Sequence, residues 1–181
     1  MKKILFLFAA TAIFLSCNNQ NKDGKSDDST VLTFATDIEN VDSLALLVPA
    51  TWKNLGTITD TLAHSGKNSS KIDTVAEYSV VYENKLGNIS KDLPKKVKVS
   101  AYGCSLAPGS KAIIVCSISN DKYYGGAVTD SVFNTTNEWK EITAEFGLPN
   151  NLSSEDVIKT YIWNKKVGTF LVDDMKVEFF Y

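Results

Sequence analysis

The sequence predicts an all-β protein, a single antiparallel β-sandwich of jelly-roll type. About ten short segments rich in β-branched and aromatic residues follow one another between Val31 and Tyr181. Apolar and polar residues alternate along them, most cleanly in KVKVSAY and FLVDDMKVEFF, and the turn-forming runs SGKNSS, LAPGSK and LPNNLSS lie between them. No stretch carries a sustained helical period. Strands of this length and spacing suit two packed sheets closed by hairpins and crossovers.

Taken in order, the chain begins with Lys2 and Lys3, an apolar run from Ile4 to Leu15, and Ser16-Cys17. This is the layout of a secretory signal peptide, and the run is too short to span a bilayer. Phe14-Leu15-Ser16-Cys17 resembles a bacterial lipoprotein signal with a relaxed lipobox, Phe14 standing where an aliphatic residue is usual. The resemblance implies that residues 1–16 are removed and that Cys17 carries a diacylglycerol, two or more acyl chains giving stable anchoring. An ordinary signal peptide with an incidental cysteine is the alternative. From Cys17 to Thr30 there is no aliphatic or aromatic residue. Residues 17–30 therefore read as the lipidated cysteine and a flexible acidic tether, unable to bury enough surface to offset its ordering entropy. The KSDD within it resembles the acidic export signals that send Bacteroidetes lipoproteins to the outer face of the outer membrane. Asn19, Asn21, Asp23 and Gly24 imitate the start of an EF-hand loop, but Thr30 occupies the twelfth position, where a bidentate Glu is needed.

Residues 31–181 read as one domain. Its strand candidates are VLTFATDI, GTITDTL, SSKIDTV, YSVVYE, KKVKVSAYG, KAIIVCSIS, GGAVTDSVF, EWKEITAEF, VIKTYIW and GTFLVDDMKVEFF, with a short capped turn at SSED near Ser153. Of the 19 cations none is arginine, so no guanidinium fork exists for phosphate or guanine. Loss of Lys2 and Lys3 with the signal leaves 17 lysines against 21 acids, a formal −4. A mildly acidic, arginine-free domain makes nucleic acid an improbable partner. Lys95, Lys96 and Lys98 read as a solvated strand face.

TDIEN, HSGKNSSKI, KVKVSAYG, NEWKEITAEFGLP, TYIWN and FLVDDMKVEF, in that order, resemble carbohydrate-binding modules of the galactose-binding-like jelly-roll type. The similarity spans nearly all of residues 31–181. It implies a galactose-binding-domain-like fold and a glycan as partner. It also implies a structural calcium between the first strand, the SGK loop and the last strand, with carboxylates from Glu39 and Asp173 and loop oxygens around Ser65 and Lys67. Strand parity gives one independent point: Asp173 alternates in step with Leu171, Met175, Val177 and Phe179 and is expected to face inward, where it needs a cation or a donor. Backbone N–H groups or Lys67 are the alternative to the metal. One histidine and no thiol cluster argue against zinc.

Sugar recognition on such folds uses ring platforms flanked by amides and carboxylates. The rings outside the clearest core positions are Trp52, Tyr123, Tyr124 and Trp163, with Asn164, Asn120 and Asp121 beside them. Adjacent Tyr123 and Tyr124, next to a Gly pair, are expected to face opposite ways. Tyr161 shares a face with Trp163, as core or as platform. Trp139 is expected in the core, which is also the competing assignment for the other rings.

Catalysis has little support. His64 precedes Ser65, but neighbours on an extended chain point apart and no nucleophile elbow is present. Gly66-Lys67 lacks the upstream glycine of a P-loop. Cys104 and Cys116 flank LAPGSK almost symmetrically, so they form either a cross-hairpin disulfide or two buried thiols. Asp-Ser or Asp-Thr triplets place hydroxyls at Ser29, Ser43, Thr61, Thr74 and Ser131. These resemble the O-glycosylation sequon of Bacteroidetes; the alternative is that each Asp closes an Asx-turn at a strand junction. Together these features predict a non-enzymatic, lipid-anchored outer-membrane protein exposed at the cell surface that binds a glycan. The alternative is a structural or protein-interaction lipoprotein whose jelly roll binds no sugar.

Overall fold

A computed structural model describes residues 30–40, 51–129, 135–165 and 167–181. Its strands are β1 (Val31–Thr36), β2 (Trp52–Lys53), β3 (Ile58–Thr59), β4 (Ser69–Ile72), β5 (Val81–Lys85), β6 (Lys96–Ser105), β7 (Ile113–Ile118), β8 (Tyr123–Val128), β9 (Trp139–Gly147), β10 (Val157–Trp163) and β11 (Phe170–Phe180). A 3₁₀ turn at Leu55–Thr57 and a single-turn helix α1 (Leu86–Ile89) interrupt them. All pairings are antiparallel. The six-stranded back sheet runs β3-β4-β11-β6-β9, with β1 added along β11; the five-stranded front sheet runs β2-β5-β10-β7-β8.

The alternation seen in the sequence builds the layer between the sheets. Val97, Val99 and Ala101 of β6, Ile142, Ala144 and Phe146 of β9, and Ile158 and Ile162 of β10 all join one buried cluster with Tyr82, Phe170 and Phe179. Their intervening neighbours Lys98, Glu145 and Lys159 remain outside. The β7–β8 connection is a tight hairpin with Ile118 opposite Tyr123. Asn120 and Asp121 both have positive φ, 59° and 55°, as the turn that matches strand twist requires, and Asn and Asp tolerate that region. The expected capped turn near Ser153 is present: the Ser153 N–H donates to Asp156 Oδ2 at 2.7 Å.

The topology decides between the two cysteine alternatives and corrects one expectation. Cys104 lies on β6 in the back sheet and Cys116 on β7 in the front sheet. Strands β6 and β7 are not hydrogen-bonded neighbours, because LAPGSK carries the chain from one sheet to the other. Both thiols are buried and free, and burial pushes Cys116 up to about 12. The parity argument for Asp173 fails. The β6–β11 register slips between Asp173 and Lys176, with Asp174 at φ 47°. Such a bulge inserts an extra residue and reverses the faces beyond it. Phe170 and Val172 precede it in the core, and Met175, Val177 and Phe179 follow it there. Leu171 and Asp173 are consequently on the outer face of the back sheet. They are nonetheless fully buried, because the loop carrying His64 and Ser65 lies over Asp173.

Candidate functional site

On the outer face of the back sheet, both carboxylates expected to bind calcium hold the 64–68 loop through its backbone. Asp173 Oδ2 accepts the N–H groups of His64 at 2.9 Å and Ser65 at 3.1 Å, and Oδ1 accepts that of Asp174 at 2.8 Å. Glu39 Oε1 accepts the N–H groups of Lys67 and Asn68, each at 2.7 Å. Gly66 bridges the two clamps at φ 60°, and a Cβ there would stand 2.4 Å from the Glu39 carboxyl carbon, so only glycine fits. Ser65 and Lys67 therefore face the carboxylates with N–H donors, the arrangement that the alternative to the metal describes. Among the described residues no three His, Cys, Asp or Glu side chains form a ligand group. Burial raises the Asp173 carboxyl above the ordinary aspartate value, and its bonds from Ser65, Asp174 and His64 oppose that rise.

The loop also seats a side-chain cluster. His64 Nδ1 lies 2.6 Å from Asp174 Oδ2, and the Ser65 hydroxyl donates to Asp174 Oδ1 at 2.8 Å. The imidazole stacks on Tyr102 at 3.6 Å and meets the edge of Trp139 at 5.7 Å. Trp139 thus sits outside the core, a correction: it opens β9 on the outer face, opposite Cys104. A depression of about 550 Å³ lies beside this cluster, with Tyr102, Asp174, Glu141 and Lys176 among its walls. Its ring, Tyr102, already has His64 stacked on it.

The outer face of the front sheet is different. Odd-numbered residues of β10 point outward there, placing Lys159, Tyr161 and Trp163 in a line. Tyr78, just before β5, bridges to Trp163 through the backbone. The Tyr78 ring stands edge-on to Tyr161 at 5.3 Å and stacks near Trp163 at 6.3 Å. Trp163 Nε1 donates to Glu77 Oε2 at 3.3 Å, and the Lys165 ammonium lies 5.2 Å from the centre of its ring. Across the sheet, Tyr161 faces Val115, which faces Gly126, and Tyr124 stands at the far side. Tyr124 is 63% exposed and Tyr78 44%. Burial, with the nearby Tyr124 and Tyr78, pushes the Tyr161 hydroxyl up to about 12, so it stays neutral and both donates and accepts. A shallow depression of about 300 Å³ adjoins the rings, lined by Tyr78, Tyr161, Lys53, Asn54, Glu83 and Lys159.

Of the five residues expected to bind ligand, the structure brings Tyr124 and Trp163 to this face. Tyr123 turns the other way, as adjacent strand residues must, and packs against the core. Trp52 is a core residue, 3% exposed and edge-on to Tyr82 at 5.4 Å. Asn164 is fully buried and holds the β10–β11 turn: its amide donates to Gly168 O at 3.0 Å and accepts the Val167 N–H at 2.8 Å. Tyr78, Lys53, Glu83 and Lys159 were not singled out from the sequence. The alternation of KTYIW carries Lys159, whereas Tyr78 reaches the site through a single bridge that no local pattern announces.

Among the possible glycosylation positions, Thr61 and Thr74 are exposed. Beside Thr74, Asp73 Oδ1 accepts the N–H groups of Val75 and Ala76 at 2.8 and 3.0 Å, the Asx-turn of the alternative. Ser29, Ser43, Ser131 and Cys17 lie outside the described residues.

No family model and no curated protein matches the sequence. Solved structures do. The C-terminal family 22 carbohydrate-binding module of Clostridium thermocellum Xyn10B is 11% identical over 80% of this chain and 90% of its own, with a TM-score of 0.51. The N-terminal CBM22-1–CBM22-2 tandem domain of Paenibacillus barcinonensis Xyn10C is 14% identical over 86% of this chain and 47% of its own, TM-score 0.50. The CBM22-1–GH10 modules of the Clostridium thermocellum endo-1,4-β-D-xylanase, solved with xylohexaose, are 20% identical over 71% of this chain, TM-score 0.47; the chain spans 26% of that protein. At these identities the likeness is one of fold: this chain has the β-sandwich jelly roll of carbohydrate-binding modules.

Proposed function

We propose that the protein is a lipid-anchored component of the cell envelope whose sandwich binds a glycan across the ring-bearing face of the front sheet. The observation that carries this reading is the gathering of Tyr78, Tyr161, Trp163 and Tyr124 on one outward face, beside a depression lined by charged and amide groups. Exposed rings offer flat apolar surface to pyranose C–H faces, and neighbouring polar groups take directed bonds from hydroxyls. Function is decided by such a site and not by the fold, which hosts many. The chain is read as a binder, not an enzyme: Ser65 donates to Asp174 instead of to His64, so no activated hydroxyl nucleophile forms there. Anchoring rests on Cys17, and placement at the outer face of the outer membrane rests on the KSDD tether.

The test is a glycan array with the purified protein, run with calcium and with chelator, followed by Tyr124→Ala and Tyr78→Ala. Both side chains are exposed enough to be removed without opening the core. Each substitution is expected to weaken binding on the order of tenfold, about 1.4 kcal/mol. Binding abolished by chelator would show that a divalent cation supports the site. Unchanged affinity in both variants would remove this face from the reading, and silence across the array would turn the search to a protein partner in the envelope.

A further inference from the structure

The charged groups of the front-sheet depression say more than its rings do. Lys53 on β2, Glu83 on β5 and Lys159 on β10 lie side by side across three adjacent strands. Lys53 Nζ donates to Glu83 Oε1 at 2.6 Å, and Lys159 Nζ approaches Glu83 Oε2 at 2.9 Å. Two ammonium groups thus share one carboxylate, which leaves the depression with one surplus positive charge. Each ammonium carries three N–H donors, and the Glu83 pair engages one of them.

The neighbouring charges among the described residues do not cancel this surplus. Lys85, on the same face of β5, is paired with Glu155 at 2.8 Å. Towards the ring end, Glu77 accepts from Trp163 and Lys165 lies over that ring, one acid for one base. The chain as a whole carries a formal −2, so the depression is positive against its surroundings. The amide that would serve a neutral sugar is also committed: Asn54 Nδ2 donates to Tyr78 O at 2.7 Å and to Ser79 O at 3.0 Å. The charged donors left for a ligand at this edge are the two ammonium groups.

We propose that the site selects acidic glycans, placing an anionic sugar substituent between Lys53 and Lys159 while the ring stacks against Tyr78 and Tyr161. This rests on the glycan reading above. Lysine suits the task as a point charge, since without arginine there is no planar fork to demand one bidentate geometry. With both lysine side chains about half exposed, the preference is screened by salt.

Titration calorimetry of the purified protein tests it. The probes are oligogalacturonate, glucuronate-substituted xylo-oligosaccharide and a sulfated oligosaccharide, each beside its carboxyl-reduced or desulfated neutral counterpart, at low and at high sodium chloride. The expected result is that, in at least one pair, the acidic form binds several-fold tighter at low salt, with the two forms converging at high salt. Lys53→Met and Lys159→Met should each reduce that ratio, and Glu83→Gln, which removes the competing carboxylate, should raise it. Which pair responds separates a uronate from a sulfate. If the neutral form binds at least as tightly in every pair, or if the ratio ignores both lysine substitutions, the charge assignment is overturned and glycan binding stands. If no probe of either kind binds, the glycan reading falls and takes this inference with it.

Discussion

Replacing Asp173 with alanine probes the clamp that organises the back of the sandwich. The carboxylate accepts three backbone N–H groups at 2.8 to 3.1 Å and is fully buried. Hydrogen bonds to a charged acceptor are each worth about 1.5–3 kcal/mol. The simple sum overstates the loss, because the 64–66 loop can open and return its N–H groups to water. Asp173→Ala is therefore expected to cost about 3–5 kcal/mol, the range for removing one side of a buried charged contact. Asp173→Asn should cost less, about 1–2 kcal/mol: its carbonyl can take the Oδ2 place and keep the bonds from His64 and Ser65, losing only the one from Asp174. Urea unfolding reads both values, with the m-value held constant as the check on two-state behaviour. Because burial raises the folded-state value of Asp173, the folded protein binds the proton first. The pH-dependent part of its contribution is full below the ordinary aspartate value and is lost as pH rises through the raised one. The wild-type advantage over Asp173→Asn should accordingly grow as pH falls towards that ordinary value. An alanine variant within 0.5 kcal/mol of wild type would refute the reasoning, as would a glycan affinity that changes in a folded Asp173→Asn, since the clamp and the rings lie on opposite faces.

Two further outcomes are expected. Alkylation of the unfolded protein without reductant should modify both Cys104 and Cys116, since the two are free and in different sheets; mass spectrometry showing neither modified would restore the disulfide. Metabolic labelling with a fatty acid should be lost in Cys17→Ala, and retention of label in that variant would refute lipid attachment at Cys17.

The strands were legible because alternation reports which side of a sheet a residue occupies, and β10, most of β9 and the first half of β6 follow it. It failed where the backbone departs from regular pleating. At Asp173-Asp174 nothing in FLVDDMKVEFF signals an extra residue, and the apolar runs on either side each fit a strand separately. The cysteines stayed open between a bridge and two buried thiols for a related reason: LAPGSK has the composition of a hairpin turn, and composition does not distinguish a turn within a sheet from a crossover between two. The ring-bearing face was half visible. TYIW put Tyr161 and Trp163 together by parity, and YYGG separated Tyr123 from Tyr124, but Trp52 needed knowledge of its partner. Only the Trp52–Tyr82 register shows that this edge strand turns its ring inward.

The two outer faces are finished in opposite ways, and this bears on which of them meets a ligand. On the back sheet a loop folds over the bulge, its N–H groups spent on Asp173 and Glu39, and His64 lies flat on Tyr102. The carboxylates, the loop N–H groups and His64 there have partners within the chain, while Trp139 Nε1 is buried without one. On the front sheet no comparable loop among the described residues covers β10, and Tyr124 and Val128 remain 63% and 62% exposed. A contiguous apolar surface left open beside ammonium groups with spare donors is one that gains by being covered. The larger depression on the back sheet has volume without a free ring, and the smaller one on the front sheet has rings, charge and access together. Recognition depends on that convergence more than on cavity size.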